Sequence, residues 1–240
     1  MKTLGPVQRV LARLFGRDRG HGADPNTAAA RPFKHDPPAG REQLLDRILS
    51  TIHNNSLLLC GEPGVGKTSI LLELRSRLAE VKGSTHEYFP VYIDLHGVPE
   101  GLLFATVANA VLGQLAPLLQ RNRSTGPEVV SVDYSHRDLA EDLRQVIQAL
   151  RKRSPRQARL VLLVDGIDEL NNYDPRTTQR VRGLFMASLA ENLVMVASAV
   201  EIDKHWEQEG SPWYNFFEEI GLMDLYEPGR HRQERPKKSG

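Results

Sequence analysis

The stretch LLLCGEPGVGKTSILLEL, Leu57 to Leu74, runs from a short apolar segment through a glycine-rich turn into apolar residues at helical spacing. Gly61, Gly66, Lys67 and Thr68 satisfy G-x-x-x-x-G-K-[ST], a pattern that has meaning only with a strand before it and a helix after it. Leu57, Leu58 and Leu59 form the unbroken apolar run of a strand covered on both faces, and Ile70, Leu71, Leu74, Leu78 and Val81 share one helical face. Glycines at 61, 64 and 66 let the backbone turn its N–H groups inward around an anion, and a helix starting near Lys67 adds the positive end of its dipole. The loop therefore predicts a phosphate cradle built from Gly61, Glu62, Pro63, Gly64, Val65, Gly66, Lys67, Thr68 and Ser69. Lys67 is expected to reach the β- and γ-phosphates, and the Thr68 hydroxyl to take one position on an octahedral Mg²⁺.

At 240 residues, with 40% hydrophobic and 25% charged residues, the chain has the composition of a soluble globular protein with one good core. Its net charge of +1 removes any general electrostatic argument for nucleic acid. A single cysteine, Cys60, excludes an internal disulfide and makes a reducing cytosol the expected compartment. Its place at the end of the first strand suits a small buried hydrophobe better than a reactive thiol. Uninterrupted apolar runs stay short of 18 residues, so no spanning helix and no signal segment is expected.

The ends differ from the middle. Residues 1–32 form an expected N-terminal arm and linker: Val7, Val10, Leu11, Leu14 and Phe15 alternate with arginines, and Gly, Pro, Ala, Asn and Asp follow. A frayed helix or a mobile arm docking on its own domain is the preferred reading, ahead of peripheral membrane contact by residues 1–19. Residues 228–240, PGRHRQERPKKSG, carry five Lys or Arg against one Glu and are expected to be a disordered basic tail. The folded domain is expected over 33–227.

Within it, helical and strand patterns alternate. Leu44, Leu45, Ile48, Leu49 and Ile52 predict a helix before the first strand; Tyr88 to Leu95 predicts a second strand and Leu102 to Leu119 a helix. Ser135-His-Arg-Asp138 has the form of a capping box opening a helix with Leu139, Leu143, Val146, Ile147 and Leu150 inward. In RLVLLVDGIDEL, Leu160 to Val164 reads as a central strand with Asp165 at its end. A helix from Thr177 to Glu191, a fourth strand from Val194 to Ala197 and a short fifth near Leu222 to Tyr226 complete an α/β fold with a mainly parallel five-stranded sheet. An acid leaving a strand beside the phosphate loop can hold Mg²⁺, the role expected of Asp165. Asp168 and Glu169, just beyond, are candidates to accept a proton from an attacking water.

Asp165-Gly166-Ile167-Asp168-Glu169 resembles the D-G-x-D-E signature of STAND NTPases, the signal-transduction ATPases that include the NACHT and NB-ARC groups. Ala39-Gly40-Arg41-Glu42-Gln43-Leu44 resembles their G-R-E element, which archaeal origin-recognition-like ATPases share. The resemblance spans about Phe33 to Leu225 and implies a three-layer P-loop NTPase of the ASCE/AAA+-like type. It implies ATP and Mg²⁺ as ligands and places Gly40 and Arg41 near the adenine. It also favours Asp168 as the water-orienting acid, because Gly166 stands where many AAA+ relatives carry Glu. Ala197-Ser198-Ala199 departs from the family's Thr-Ser-Arg: Ser198 remains as a polar sensor and the arginine is missing there. The C-terminal lid domain of that family is expected to be lacking.

Two functional classes follow: an ATP-dependent signalling switch reset by slow hydrolysis, acting on a protein partner or by self-association, and a nucleotide-binding interaction module that hydrolyses little. A small-molecule kinase is a weaker reading. A helper ATPase for DNA transposition or replication has only the basic tail in its favour.

Overall fold

A computed structural model describes residues 40–53, 55–82, 84–119, 134–189, 192–201, 206, 211, 213 and 216–222. The expected N-terminal arm and linker, residues 33–39, the polar loop 120–133, and residues 223–240 with the basic tail lie outside the described residues. The elements run α1 (Gly40–Thr51), β1 (Leu57–Cys60), α2 (Lys67–Glu80), β2 (His86–Asp94), α3 (Leu103–Leu119), α4 (His136–Arg153), β3 (Gln157–Asp165), α5 (Pro175–Leu189), β4 (Leu193–Ala199) and β5 (Glu218–Gly221). A 3-10 turn, Ile167–Asn172, links β3 to α5.

The five strands form one parallel sheet in the order β2-β3-β4-β1-β5. Successive strand residues point to opposite faces, and both faces are covered, so alternation along each strand sorts side chains into two cores. Leu57, Leu59, Val161, Leu163, Val194 and Val196 pack with α1 and α2 through Leu45, Ile48, Leu71 and Leu74. Leu58, Leu160, Leu162, Val164, Met195 and Ala197 pack with α3, α4 and α5 through Val107, Leu143 and Phe185. The result is a three-layer α/β P-loop fold. The capping box is formed: the Ser135 hydroxyl accepts from the Arg137 N–H, and Asp138 Oδ2 accepts from the Ser135 N–H at 2.8 Å.

One detail differs from the sequence reading and two go beyond it. The strand that ends in Asp165 is not the immediate neighbour of β1; β4, buried at all seven positions, takes the centre and brings Ser198 between them. The fifth strand lies at Glu218–Gly221, ahead of the expected Leu222–Tyr226. As an edge strand it needs only Ile220 buried, while Glu218 accepts from Arg47 and Asn55, so the apolar run that follows gives the stronger sequence signal. Finally, Glu100–Leu119, with an 18-residue window of mean hydropathy 1.8, has the length and composition of a membrane span, although Asn109, Gln114 and Pro117 interrupt its apolar run. Its Leu103, Val107, Val111 and Leu115 are buried in the core under the sheet, the packing of a core helix.

Candidate functional site

The carboxyl ends of parallel strands are where an open α/β sheet binds ligands, and the sequence-selected residues gather there. The loop after β1 turns through Gly64 at φ +85° and Gly66 at φ +101°, conformations that favour glycine. Gly61 has a different constraint, since a Cβ there would stand 3.0 Å from Val65 Cγ1. Gly66 caps α2 without a side-chain bond, so the amides of the first helical turn, which have no intrahelical acceptor, remain available to an anion. Lys67 is buried and its Nζ donates to the carbonyls of Gly61 (2.6 Å) and Glu62 (3.0 Å) across the loop. Glu62, Pro63 and Gly64 form the exposed rim, with Val65 half-buried behind them.

Asp165 is the hub. Only 2% exposed, its carboxylate accepts from three hydroxyls: Thr68 at 2.6 Å and Tyr92 at 2.9 Å on Oδ2, and the fully buried Ser198 on Oδ1. The Ser198 oxygen in turn accepts from the Gly166 N–H at 3.4 Å. Burial, with the Asp165 charge next, pushes the Tyr92 phenol upward, so it stays a donor. Gln114 of α3 holds Tyr92 in place, exchanging hydrogen bonds with both its N–H and its carbonyl along the open edge of β2.

Asp168 and Glu169 separate. The Val200 N–H at the end of β4 donates to Asp168 Oδ2 at 3.3 Å, while Asp168 Oδ1 is buried and has no partner among the described residues. Glu169 faces the other way and accepts from the Gly97 N–H at 2.9 Å, tying down the loop after β2.

The pair Thr68 and Asp165 fits Mg²⁺. Both are hard oxygen donors beside a phosphate loop, hydrogen-bonded to each other at 2.6 Å, and suit by type an ion that takes one or two protein oxygens and fills its octahedron with phosphate and water. Among the described residues no cluster of three or more His, Cys, Asp or Glu could hold a metal unaided.

Arg41 lies beside the loop helix rather than reaching outward: its Nε donates to Glu73 at 2.8 Å and its Nη2 to the Ser69 carbonyl at 3.2 Å. Gly40 opens α1 next to it. Burial pushes the Cys60 thiol up to about 11, with Glu219 adding to the effect and Lys67 opposing it, which suits an inert thiol.

Sequence reasoning passed over Tyr92, Asp94, His96 and Glu73. Tyr92, Asp94 and His96 lie at or just past the carboxyl end of β2, and the register Asp94↔Asp165 places that end level with the hub. The signal was available in the polar residues of YIDLH at a parallel-strand terminus. His96 Nδ1 lies 2.7 Å from Asp94 Oδ1. Burial lowers the His96 imidazole, but the Asp94 hydrogen bond and the charges of Asp165 and Asp168 outweigh it, for a net upward shift.

The sequence matches the family described as AAA ATPase domain over residues 37–196. It is 44% identical over 64 residues to the chaperone protein ClpB of Streptomyces albus G, a segment covering 25% of this chain and 7% of that protein. Heat shock protein hsp98 of Neurospora crassa is 47% identical over 55 residues, 22% of this chain and 6% of that protein. The chain thus spans less than a tenth of the curated relatives it matches. Among solved structures, the Orc1 protein of Aeropyrum pernix in complex with DNA has a TM-score of 0.49 at 17% identity, covering 78% of this chain and 46% of that one. Cdc6p of Pyrobaculum aerophilum has a TM-score of 0.45 at 17% identity, covering 80% and 48%.

Proposed function

The chain belongs to the AAA ATPase domain family, and from that premise we propose that it is a nucleotide-dependent switch that binds Mg-ATP and hydrolyses the γ-phosphate slowly. The observation that carries this reading is the 2.6 Å contact between Thr68 and Asp165, which closes the phosphate loop onto the end of β3 across 97 residues of sequence. Lys67, freed from the Gly61 and Glu62 carbonyls, would neutralise the β/γ-phosphates while the loop amides bind their oxygens. Thr68 and Asp165 would hold Mg²⁺, which supplies charge neutralisation when bound. Asp168 orients the water. The water oxygen bonds to the γ-phosphorus, the bond to the β–γ bridging oxygen breaks with its electron pair leaving on ADP, and Asp168 Oδ1 takes the water's proton on its way to solvent. Ala199 occupies the position where STAND-type chains carry an arginine, which supports a slow rate in isolation and acceleration by self-association or a partner protein.

The experiment is to identify the co-purifying nucleotide and measure Mg-ATP turnover per chain over a hundredfold dilution. Expected is bound adenine nucleotide and a specific rate below about one per minute that rises with concentration or with an added partner. A fast rate that persists down to a verified monomer would overturn the switch reading.

A further inference from the structure

Gly166 carries a second feature. At φ +71° it is left-handed, and a Cβ built on it would meet His96 at 2.8 Å from both Cε1 and Nε2. The imidazole therefore covers the backbone of the residue immediately after the hub aspartate. Its loop is secured at several points: the Leu95 N–H donates to the Asp165 carbonyl at 2.9 Å, the Gly97 N–H to Glu169 at 2.9 Å, and the Tyr173 hydroxyl to the Val98 carbonyl. Asp94 engages Nδ1 at 2.7 Å and also accepts from the His96 N–H at 3.0 Å, fixing the ring from below. In the neutral ring, a carboxylate on Nδ1 favours the tautomer with its proton there and leaves Nε2 as an acceptor. Meanwhile Asp168 leans on the end of β4. The Asp165–Gly166 turn thus has an acceptor on each side, Asp168 from the β4 side and His96 from the β2 side.

We propose that His96 is a second water-positioning residue of this site, the Nε2 of its neutral imidazole accepting a hydrogen bond from the attacking water opposite Asp168. The inference rests on the ATPase reading above. Glycine at 166 then has a reason beyond its backbone angle: any side chain there would displace the ring. His96 orients; Asp168 remains the group that takes the proton. The competing explanation is a steric plug, in which the ring does no more than fill the space over Gly166.

Three chains, wild type, His96→Ala and His96→Phe, separate these. Affinity for a non-hydrolysable ATP analogue, single-turnover hydrolysis of Mg-ATP and the thermal midpoint are measured on each, with and without added 4-methylimidazole. The expected result is analogue affinity within about twofold of wild type and a single-turnover rate lower by roughly ten- to a hundredfold in both variants, the loss that mispositioning a reactant produces. The free imidazole should restore part of the rate in His96→Ala alone, since His96→Phe fills its place. A wild-type rate in His96→Phe identifies a plug and overturns the proposal. So does an unchanged rate in His96→Ala, or a loss of rate matched by an equal loss of affinity. A wild-type chain that binds the analogue and never hydrolyses ATP overturns the ATPase reading as well, which tells the two failures apart.

Discussion

Replacing Ser198 with Ala removes one oxygen from the middle of the sheet and tests whether Asp165 depends on it. Ser198 is fully buried, so no water can take over. Two interactions disappear: the donation to Asp165 Oδ1 and the acceptance of the Gly166 N–H at 3.4 Å. A hydrogen bond to a charged acceptor is worth about 1.5–3 kcal/mol, and the long neutral one adds about 0.5 kcal/mol. Thr68 and Tyr92 both bond Oδ2, leaving Oδ1 a buried orphan. The expected loss is therefore about 2–3.5 kcal/mol, which for a domain of this size lowers the thermal midpoint by roughly 4–14 °C. Circular dichroism melts, with urea titrations at constant m-value, give the number directly. A midpoint within about 1 °C of wild type would refute the reasoning, because it would mean that Asp165 is held by the other two hydroxyls alone.

Lys67→Ala removes the buried cation bridging the Gly61 and Glu62 carbonyls, and calorimetry should show Mg-ATP affinity at least about tenfold weaker, or ~1.4 kcal/mol. Asp168→Asn keeps the shape but loses the proton acceptor, so hydrolysis should fall by roughly a hundredfold with binding retained, while Glu169→Gln should act mainly through the loop it anchors at Gly97. The reverse pattern in single-turnover assays would move the base to Glu169. For Glu73, burial raises the carboxyl but the hydrogen bonds from Arg41 and Arg77 outweigh it, so its folded value lies below its unfolded one. Its contribution is present above the unfolded carboxylate range and lost as pH falls through the folded value, so Glu73→Gln should cost less than about 1 kcal/mol near pH 7 and progressively less as the pH is lowered through the acid range. Urea midpoints of both chains measured from pH 7 downward check this.

What residues do to their chain neighbours was legible in the sequence. Leu57–Cys60, the glycine loop and the helix from Lys67 follow from spacing within twenty residues, as does the capping box at Ser135, because strand alternation, helical period and caps are local geometries. Asp165 was legible for the same reason, as the acid ending an apolar strand. Only the tertiary structure decided that β4 lies between β1 and β3, that the edge strand is Glu218–Gly221, and that Glu169 turns to Gly97 while Asp168 turns to Val200. Those outcomes depend on which strands pair. The contacts of the hub join residues 97, 73 and 33 positions apart, and no periodicity along the chain records them. His96 on Gly166 is the extreme case: each segment shows a local signal, but their contact exists only because β2 and β3 are paired in register at Asp94 and Asp165.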